Sequence, residues 1–578
     1  MKVVSLALTL AMLCTTTYAQ KTTIKWGEEF NLKKGSSDLR VVLADKNSAF
    51  LQESHPAMKS YFVVGATLRE SASLVKVDKN LSEVFRNDFN KELRGKEFVQ
   101  FFSCEDKLFL ISSDYSKRDK TLSLYASAVD KNSGELTGEW REVASYQKEE
   151  KADDINFRIT YNTDSTKMII VSSIEGKERN EYRFQELNKN LKATANPFTI
   201  SNEFESKKYQ LEDVLYTNEQ KVILVGRMYE YEEGKKKKEK FLDFMNYNIR
   251  IYDEKGKQRS EINTSINGKW LISTKLVQEK NNDLVLAAFY SNEKKGKTID
   301  GMLVQRINVA NGTVISTSDK PINNSFLSAN VDNTDNDTDD DKDESKEEKK
   351  LRESISKLKD EGEGFSKYMQ FRNIFYTADN GLIILAEYFH HFITTSQSYS
   401  AGANGTPGQW TSTTNYNYIS GDLMMCKVDA AGNIAWLRII PKKQREVIQS
   451  SGRIYGSGFQ YTPSYFMAGN RPFYSGFGAI QTGNTIQIIF NDNTKNANII
   501  QAGQKAKAIN RFAKSDCFVL NVNELTGELN RKLFFTNSDV PTAMPRLGVV
   551  FGNDMYMVGK TDRIFGKSKV ALAKITVK

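Results

Sequence analysis

The chain is poor in the residue types that most often build catalytic and metal sites. It has 578 residues but only three histidines and four cysteines. His390 and His391 are adjacent, so in a strand they point to opposite faces and do not share a metal ion. The H-E-x-x-H and G-x-S-x-G patterns are both absent. The sequence therefore predicts no catalytic residue, no metal site and no cofactor.

Long apolar runs are also absent, except near the start of the chain. A short basic start precedes the apolar residues 3 to 13, and residues 17 to 19 (TYA) form a small-x-small cleavage signal. This pattern predicts a secretory signal peptide over residues 1 to 19 and a mature chain that starts at Gln20. The apolar run is too short to cross about 30 Å of hydrocarbon. We therefore expect an exported protein without a transmembrane segment, located in the periplasm, at the outer membrane or outside the cell.

Cysteine is scarce in the predicted mature chain, which keeps Cys104, Cys426 and Cys517. An odd and sparse set is not a disulfide framework, even in a compartment that permits disulfides. The three lie in or beside apolar, strand-like runs, so we expect buried and inert thiols. Cys14 raises a lipoprotein alternative, but Leu13 stands where lipoprotein signals have a small residue.

The charge of the chain is unevenly distributed. The net charge is +9, and it becomes +8 when the leader with its single lysine is removed. Residues 332 to 348 hold ten acids and two lysines, a net charge of −8, so the remainder carries about +16. Such a basic body with one acidic segment favours either anionic partners or an acidic segment that folds back onto the body of its own chain. Nucleic acid is not expected as a partner, because no nucleic-acid motif and no basic helix accompany the charge.

One hairpin recurs along the chain. An apolar strand ends at Asp or Asn, a short turn follows, and in five copies a glycine supplies the positive φ that closes the turn. Seven such turns at similar intervals indicate internal repetition. The copies are VDKNLSEVF from Val77, AVDKNSGEL from Ala128, the degraded LNKNLKAT from Leu187, IYDEKGKQR from Ile251, INVANGTVI from Ile307, KVDAAGNIA from Lys427 and NVNELTGEL from Asn521.

A second series, of short apolar runs, repeats alongside the hairpins. Each run is rich in branched and aromatic residues and is too short for a typical helix. The runs begin at positions 60, 107, 167, 221, 283, 381, 485 and 554. Each unit divides into four strands. The sequence therefore predicts an all-β fold of eight four-stranded blades, with seven blades as the alternative.

The last unit lacks a fourth strand, and the N-terminus supplies a spare one. Residues 22 to 32 (TTIKWGEEFNL) are expected to pair with residues 569 to 577 and close a ring. Repeated four-stranded sheets closed in this way resemble a β-propeller, and the D-x-x-(S/T)-G hairpins resemble those of quinoprotein-type bacterial propellers. The repeated tryptophan of that family occurs here only at Trp140 and Trp436. The resemblance implies one β-propeller domain over residues 20 to 578 and carries over no functional residue.

The long connections fall on one face of the predicted propeller. Because neighbouring strands of a blade alternate in direction, its second-to-third connection and its exit to the next blade share a face. The long connections are residues 231 to 240, 319 to 365, 391 to 418, 441 to 473 and 493 to 515. In the second of these, the acidic stretch 323 to 348 is expected to be disordered, and residues 349 to 361 have the spacing of a short amphipathic helix.

Two insertions, 391 to 418 and 441 to 473, mix aromatic residues with Gly, Ser, Thr and Asn. Rigid aromatics among small polar residues make adaptable contact surfaces for proteins or sugar rings. The alternative is that these aromatics fix the long loops onto the scaffold. The candidate ligand-binding residues are Trp410, Tyr416, Tyr418, Tyr461, Tyr465 and Tyr474.

These observations favour a secreted binding protein that presents the insertion-bearing face over blades 5 to 7 to a protein or glycan partner. Two alternatives stay open. One is an enzyme acting on polysaccharide, a glycoside hydrolase or lyase, because carboxylate pairs assembled across blades leave no sequence signature. The other is a structural subunit of a cell-envelope assembly.

Overall fold

The computed structural model describes most of the chain after the predicted leader. The described residues are 22–33, 36, 38–61, 65–149, 154–175, 180–202, 208–233, 240–263, 268–278, 283–293, 299–322, 369–400, 409–455, 458–462, 472–561 and 569–577. The predicted signal peptide, the acidic stretch 323 to 348 and the helix at 349 to 361 lie outside them. No helix within these ranges is long and apolar enough to cross a membrane.

Antiparallel strands make up about two-thirds of the described residues and nearly all of their regular secondary structure, and they form eight sheets, numbered here in chain order. The N-terminal strands β1 (Thr22–Trp26) and β2 (Phe30–Asn31) belong to sheet 8. Sheet 1 consists of β3 (Asp38–Ala44), β4 (Ser48–Tyr61), β5 (Gly65–Asp78) and β6 (Glu83–Asp88), and sheet 2 of β7 (Glu97–Cys104), β8 (Lys107–Ser116), β9 (Thr121–Val129) and β10 (Arg141–Gln147). Sheet 3 consists of β11 (Asp154–Tyr161), β12 (Met168–Glu175), β13 (Asn180–Leu187) and β14 (Phe198–Asn202). Sheet 4 consists of β15 (Tyr209–Tyr216), β16 (Val222–Glu233), β17 (Lys240–Tyr252) and β18 (Gln258–Asn263).

The later sheets follow the same plan, but sheets 6 and 8 have six strands each. Sheet 5 consists of β19 (Trp270–Gln278), β20 (Leu284–Ser291), β21 (Gly301–Asn308) and β22 (Thr313–Pro321), and sheet 6 of β23 (Met369–Tyr376), β24 (Leu382–Ser400), β25 (Gln409–Val428), β26 (Ile434–Ile440), β27 (Gln444–Tyr455) and β28 (Gly458–Thr462). Sheet 7 consists of β29 (Phe477–Thr482), β30 (Thr485–Asp492), β31 (Asp516–Asn523) and β32 (Leu529–Thr536). Sheet 8 consists of β33 (Thr542–Ala543), β34 (Val549–Phe551), β35 (Asp554–Thr561) and β36 (Lys569–Val577), together with β1 and β2. Short 3-10 turns occupy Thr494–Asn496, Phe512–Lys514 and Pro545–Leu547.

The N-terminal strand completes the last sheet. β1 runs antiparallel to β36, with Thr22 opposite Val577 and Trp26 opposite Ala573. The Trp26 ring also packs edge-on against Phe535 of sheet 7, with ring centroids 5.8 Å apart. The predicted closure is therefore confirmed, and it covers a sheet edge that would otherwise present unpaired backbone groups.

Eight buried apolar clusters hold the sheets side by side. Seven of them join one sheet to the next along the chain, and the eighth joins sheet 8 back to sheet 1 through residues such as Leu572 and Leu39. Every described sheet is thus packed between two neighbours in a closed series. This arrangement is a β-propeller, and the predicted fold class is confirmed.

The repeated turns share one pattern of side-chain hydrogen bonds, which explains why their sequence recurs. In each, an Asp or Asn side chain accepts hydrogen bonds from backbone N–H groups of its own turn, as Asp429 does from Ala431 and Asn433. The closing residue has a positive φ of 57 to 88° in all seven. These residues are Leu81, Gly134, Leu191, Gly256, Gly312, Gly432 and Gly527. The turns therefore join the third and fourth strands of sheets 1 to 7 through the same side-chain contacts. The positive-φ residue lies three positions after the Asp or Asn in four copies and four positions after it in three.

The two aromatic-rich insertions, predicted as loops, are mostly strand in the structure. β24 runs to residue 400 and β25 starts at residue 409, so both strands enter the 391 to 418 insertion from its two ends. β27 and β28 occupy residues 444 to 455 and 458 to 462 of the other insertion. The loop expectation is wrong for these residues, because Thr, Ile, Tyr and Trp among small polar residues favour pleated pairing.

The three cysteines of the predicted mature chain are free thiols, and all three are buried. Burial raises the pKa of Cys426 to about 12 and raises that of Cys517 well above its usual value. The expectation of buried thiols is confirmed, and their raised pKa values keep them in the unreactive protonated form.

Candidate binding surface on sheet 6

The paired parts of the insertions form a second sheet that continues sheet 6 beyond its blade. β25 changes its partner along its length. Its C-terminal part pairs with β26, with Leu423 opposite Ile440, and its N-terminal part pairs with β27, with Ser420 opposite Gln444. β28 pairs with β27 in turn. We call the result the extension, which comprises residues 389 to 400 of β24, 409 to 420 of β25, β27 and β28.

The base of the extension is anchored to distant parts of the ring. Phe473 is buried within the apolar cluster that joins sheets 8 and 1, and Ile448 and Tyr474 pack against that cluster. The buried Glu446 of β27 accepts hydrogen bonds from the backbone N–H groups of Phe473, Tyr474 and Ser475 at 2.8 to 2.9 Å. The extension therefore leaves sheet 6 and is held where sheets 8 and 1 meet.

The strand register places four of the six predicted residues at positions on the same face of the extension. Residues directly opposite each other in an antiparallel pair belong to the same face of the sheet. Tyr416 lies opposite Ile393 of β24 and Ile448 of β27, and the neighbouring pairs follow without a register shift. On this basis positions 410, 416, 418 and 461 all belong to the face that also carries positions 393 and 399.

Tyr418 and Tyr416 are stacked beside His391 near the base of the extension. The His391 ring lies 4.7 Å from that of Tyr418 and 6.5 Å from that of Tyr416. Tyr418 is buried, and this burial is the main reason why its pKa is raised to about 12. Glu446 and Tyr416 raise the pKa further in the same direction. Burial likewise lowers the pKa of His391. Tyr418 is therefore packed inside the protein, as expected for an aromatic residue that fixes an insertion onto the scaffold. Tyr416 is only half-buried.

The other predicted residues are spread along the insertions. Tyr474 follows the second insertion, is half-buried and stacks on Phe512 with ring centroids 5.7 Å apart. Trp410 lies in β25 opposite Tyr399, and Tyr461 lies in β28 opposite Gly452. Tyr465 lies outside the described residues. The structure therefore brings Trp410, Tyr416, Tyr418 and Tyr461 to one small sheet and leaves Tyr474 at its base.

The outer part of this face exposes apolar side chains that the sequence analysis missed. Ile393 is 53 % exposed and Tyr399 is 56 % exposed, both on β24. Thr395 and Gln397 between them are exposed as well. The alternation in HFITTSQSYS was the available signal, because in a strand every second residue shares a face. The opposite face of the extension exposes Val447, at 45 %.

The chain was compared with protein families, curated proteins and solved structures. No family model and no curated protein matches it. Among solved structures, it is similar to the β-propeller domain of the Trilobed protease from Pyrococcus furiosus, with 8 % identity, a TM-score of 0.29, and coverage of 86 % of this chain and 97 % of that chain. It is also similar to an alpha-L-arabinanase from Penicillium chrysogenum, with 10 % identity, a TM-score of 0.26, and coverage of 51 % and 98 %.

A third similar structure is prolyl oligopeptidase B from Galerina marginata, with 10 % identity and a TM-score of 0.27. The match covers 66 % of this chain and only 38 % of that enzyme. Among the described residues, no group of three or more His, Cys, Asp or Glu side chains is placed to hold a metal ion.

Proposed function

We propose that the chain is an exported β-propeller binding protein that presents one surface of the extension to a protein or glycan partner. This surface is the part of the extension face around Ile393 and Tyr399, away from the base, and is called the outer face below. The observation that carries this proposal is the register of the extension. It assigns Trp410, Tyr416 and Tyr461 to the same face as the exposed side chains of Ile393 and Tyr399. Aromatic and aliphatic residues interspersed with Thr, Ser and Gln are the composition of adaptable contact surfaces.

The scaffold beneath this face supports a binding role. The extension is paired strand to strand and anchored through Glu446 and Phe473, so its face is held in a fixed geometry. A rigid face loses less conformational entropy on association than a mobile loop does. The basic body of the mature chain, with a net charge of +8 once residues 1 to 19 are removed, strengthens the attraction of anionic partners at low ionic strength.

The proposal is tested by replacing Trp410, Tyr416 and Tyr461 together with Ala in the mature protein. Immobilised protein is exposed to a native envelope extract and, separately, to a glycan array, and mass spectrometry identifies captured proteins. We expect the triple variant to lose the partner that the wild type retains. The control is Leu533→Ala, because Leu533 is 58 % exposed on the outer strand of sheet 7, away from the extension. Normal binding by the triple variant would contradict the proposal.

A further inference from the structure

A buried carboxylate at the base of the extension is surrounded by three cations. Glu387 of β24 is fully buried, and its Oε1 accepts a hydrogen bond from Lys442 Nζ at 2.6 Å. Its Oε2 accepts hydrogen bonds from Arg372 Nε at 3.2 Å and from Arg546 Nη2 at 2.5 Å. The two guanidinium groups converge on one oxygen, so the donating nitrogens lie less than about 6 Å apart.

The charges of this cluster do not balance. Three cations face one carboxylate, so these four side chains carry a net charge of +2. The buried Asp422 lies next to them and accepts a hydrogen bond from the backbone N–H of Lys442. Burial alone would raise the pKa of Glu387, but Arg546, Lys442 and Arg372 together lower it to about 2. Asp492, the other acid that acts on Lys442, is itself paired with Arg531 at 2.7 Å.

The excess positive charge is concentrated on the two arginines. Burial, with a contribution from Arg546, lowers the pKa of Arg372 to about 10 even though Glu387 opposes the shift. Both guanidinium groups also lie over the ring of Phe389, at 4.8 Å for Arg372 and 4.6 Å for Arg546. The ring attracts each cation but carries no net charge, so it does not neutralise them.

Each arginine has N–H groups that donate no hydrogen bond to the described residues. Arg372 uses only Nε, and its buried Nη2 has no hydrogen-bond partner among the described residues. Arg546 uses Nε on the Ser475 carbonyl and Nη2 on Glu387 and the Ser420 hydroxyl, which leaves Nη1 without a described partner. Their side chains are 24 % and 13 % exposed, so part of each reaches solvent.

We propose that Arg372 and Arg546 bind an oxyanion group of a ligand, a carboxylate or a phosphate, beside Phe389. Planar guanidinium groups with free N–H donors match the oxygens of both anions. The bound anion would neutralise the excess charge and accept hydrogen bonds from donors that lack them. This site is independent of the outer face of the extension, because it uses none of the residues on which the proposed function rests.

The test is isothermal titration calorimetry of the mature protein with inorganic phosphate, with galacturonate and with uncharged galactose. We expect phosphate or galacturonate, but not galactose, to bind with one site per chain. Binding of phosphate alone would indicate a phosphate-bearing ligand, and binding of galacturonate alone a carboxylate-bearing one. Saturable binding by neither anion would overturn the proposal.

The same titration with Arg372→Gln separates the proposed site from general surface binding. The variant keeps Lys442 and Arg546 on Glu387, so it should fold, and we expect anion affinity to fall by about tenfold or more. Arg372→Lys keeps the positive charge but loses the planar set of guanidinium N–H donors, so it should bind the anion with intermediate affinity. The matched control is Arg438→Gln, because Arg438 lies over Trp436 and donates to the carbonyls of Gly527 and Thr526. Unchanged binding by Arg372→Gln would also overturn the proposal.

Discussion

Arg546 and Glu387 form a hydrogen-bonded ion pair between sheet 8 and sheet 6, with Arg546 Nη2 donating to Glu387 Oε2 at 2.5 Å. The two residues are 159 positions apart in the chain. Arg546 also donates to the Ser475 carbonyl in the segment that leads into sheet 7. The pair therefore ties the base of the extension to three sheets of the ring.

Replacing this carboxylate should destabilise the protein strongly. Glu387→Gln leaves the fully buried Lys442 without its anionic partner, and breaking a buried pair in this way costs about 3 to 5 kcal/mol. Urea unfolding monitored by circular dichroism measures the loss. The control is Lys275→Gln, which breaks an exposed pair with Asp213 and should cost at most about 1 kcal/mol. Equal losses for the two variants would contradict this account of the cluster.

The same carboxylate predicts a dependence of stability on pH. Its pKa of about 2 lies below the value of about 4.3 for glutamate in an unfolded chain. The stabilisation by Glu387 is therefore fully present above about pH 4.3 and is lost as the pH falls towards about 2. We expect the difference in unfolding free energy between wild type and Glu387→Gln to shrink across that interval. A difference that stays constant down to about pH 2 would show that the cations do not hold this carboxylate ionised.

Closure of the ring by the N-terminal strand makes a separate prediction. Deleting residues 20 to 33 removes β1 and β2, exposes the edge of β36 and removes the contact of Trp26 with Phe535. We expect a lower melting temperature and aggregation through the open edge, measured by calorimetry and light scattering. Lys25→Ala alters only an exposed side chain of β1 and should behave as wild type. A deletion variant as soluble and as stable as the wild type would argue against the closure.

The repeated turn can be tested at Gly432. Its φ is +88°, and a Cβ there would lie 2.6 Å from Ser316 Oγ of sheet 5. Gly432→Ala should therefore lower the unfolding free energy by about 1 to 3 kcal/mol, from backbone strain and from the contact. Gly138→Ala is the matched control, because a Cβ there meets nothing within 4 Å and φ is not in the left-handed region. Equal stability of the two alanine variants would show that the turn does not require glycine.

The fold was predictable because its signals are local and repeated. An Asp or Asn followed by a residue with positive φ fixes each turn within five residues. Seven of the eight apolar runs coincide with a buried strand of their sheet, whereas the run that begins at position 60 falls where β4 ends and β5 begins. The missing last strand then required a partner, and residues 22 to 32 supplied one. These features need no knowledge of distant contacts, so the sequence alone sufficed to predict them.

The site was predictable only in part. The aromatic content of the two insertions led to a prediction of candidate residues that stays a prediction, and composition does not reveal that β25 changes partner from β26 to β27. Without this register, the buried Tyr418 and the exposed Ile393 could not be told apart. The Arg372, Glu387 and Arg546 cluster was missed entirely, because its members come from distant parts of the chain and carry no motif.

The most direct test of the proposed binding face compares one substitution on each of the two faces of the extension. Ile393 and Val447 are both exposed, but the register assigns them to opposite faces of the extension. Ile393→Ser and Val447→Ser thus remove similar apolar surface from the two faces. The measurement is the amount of partner retained from an envelope extract by each immobilised protein, quantified by mass spectrometry. We predict that Ile393→Ser loses most of the partner while Val447→Ser retains it as the wild type does. Equal retention by the two variants, or loss with Val447→Ser alone, would contradict the assignment of this face.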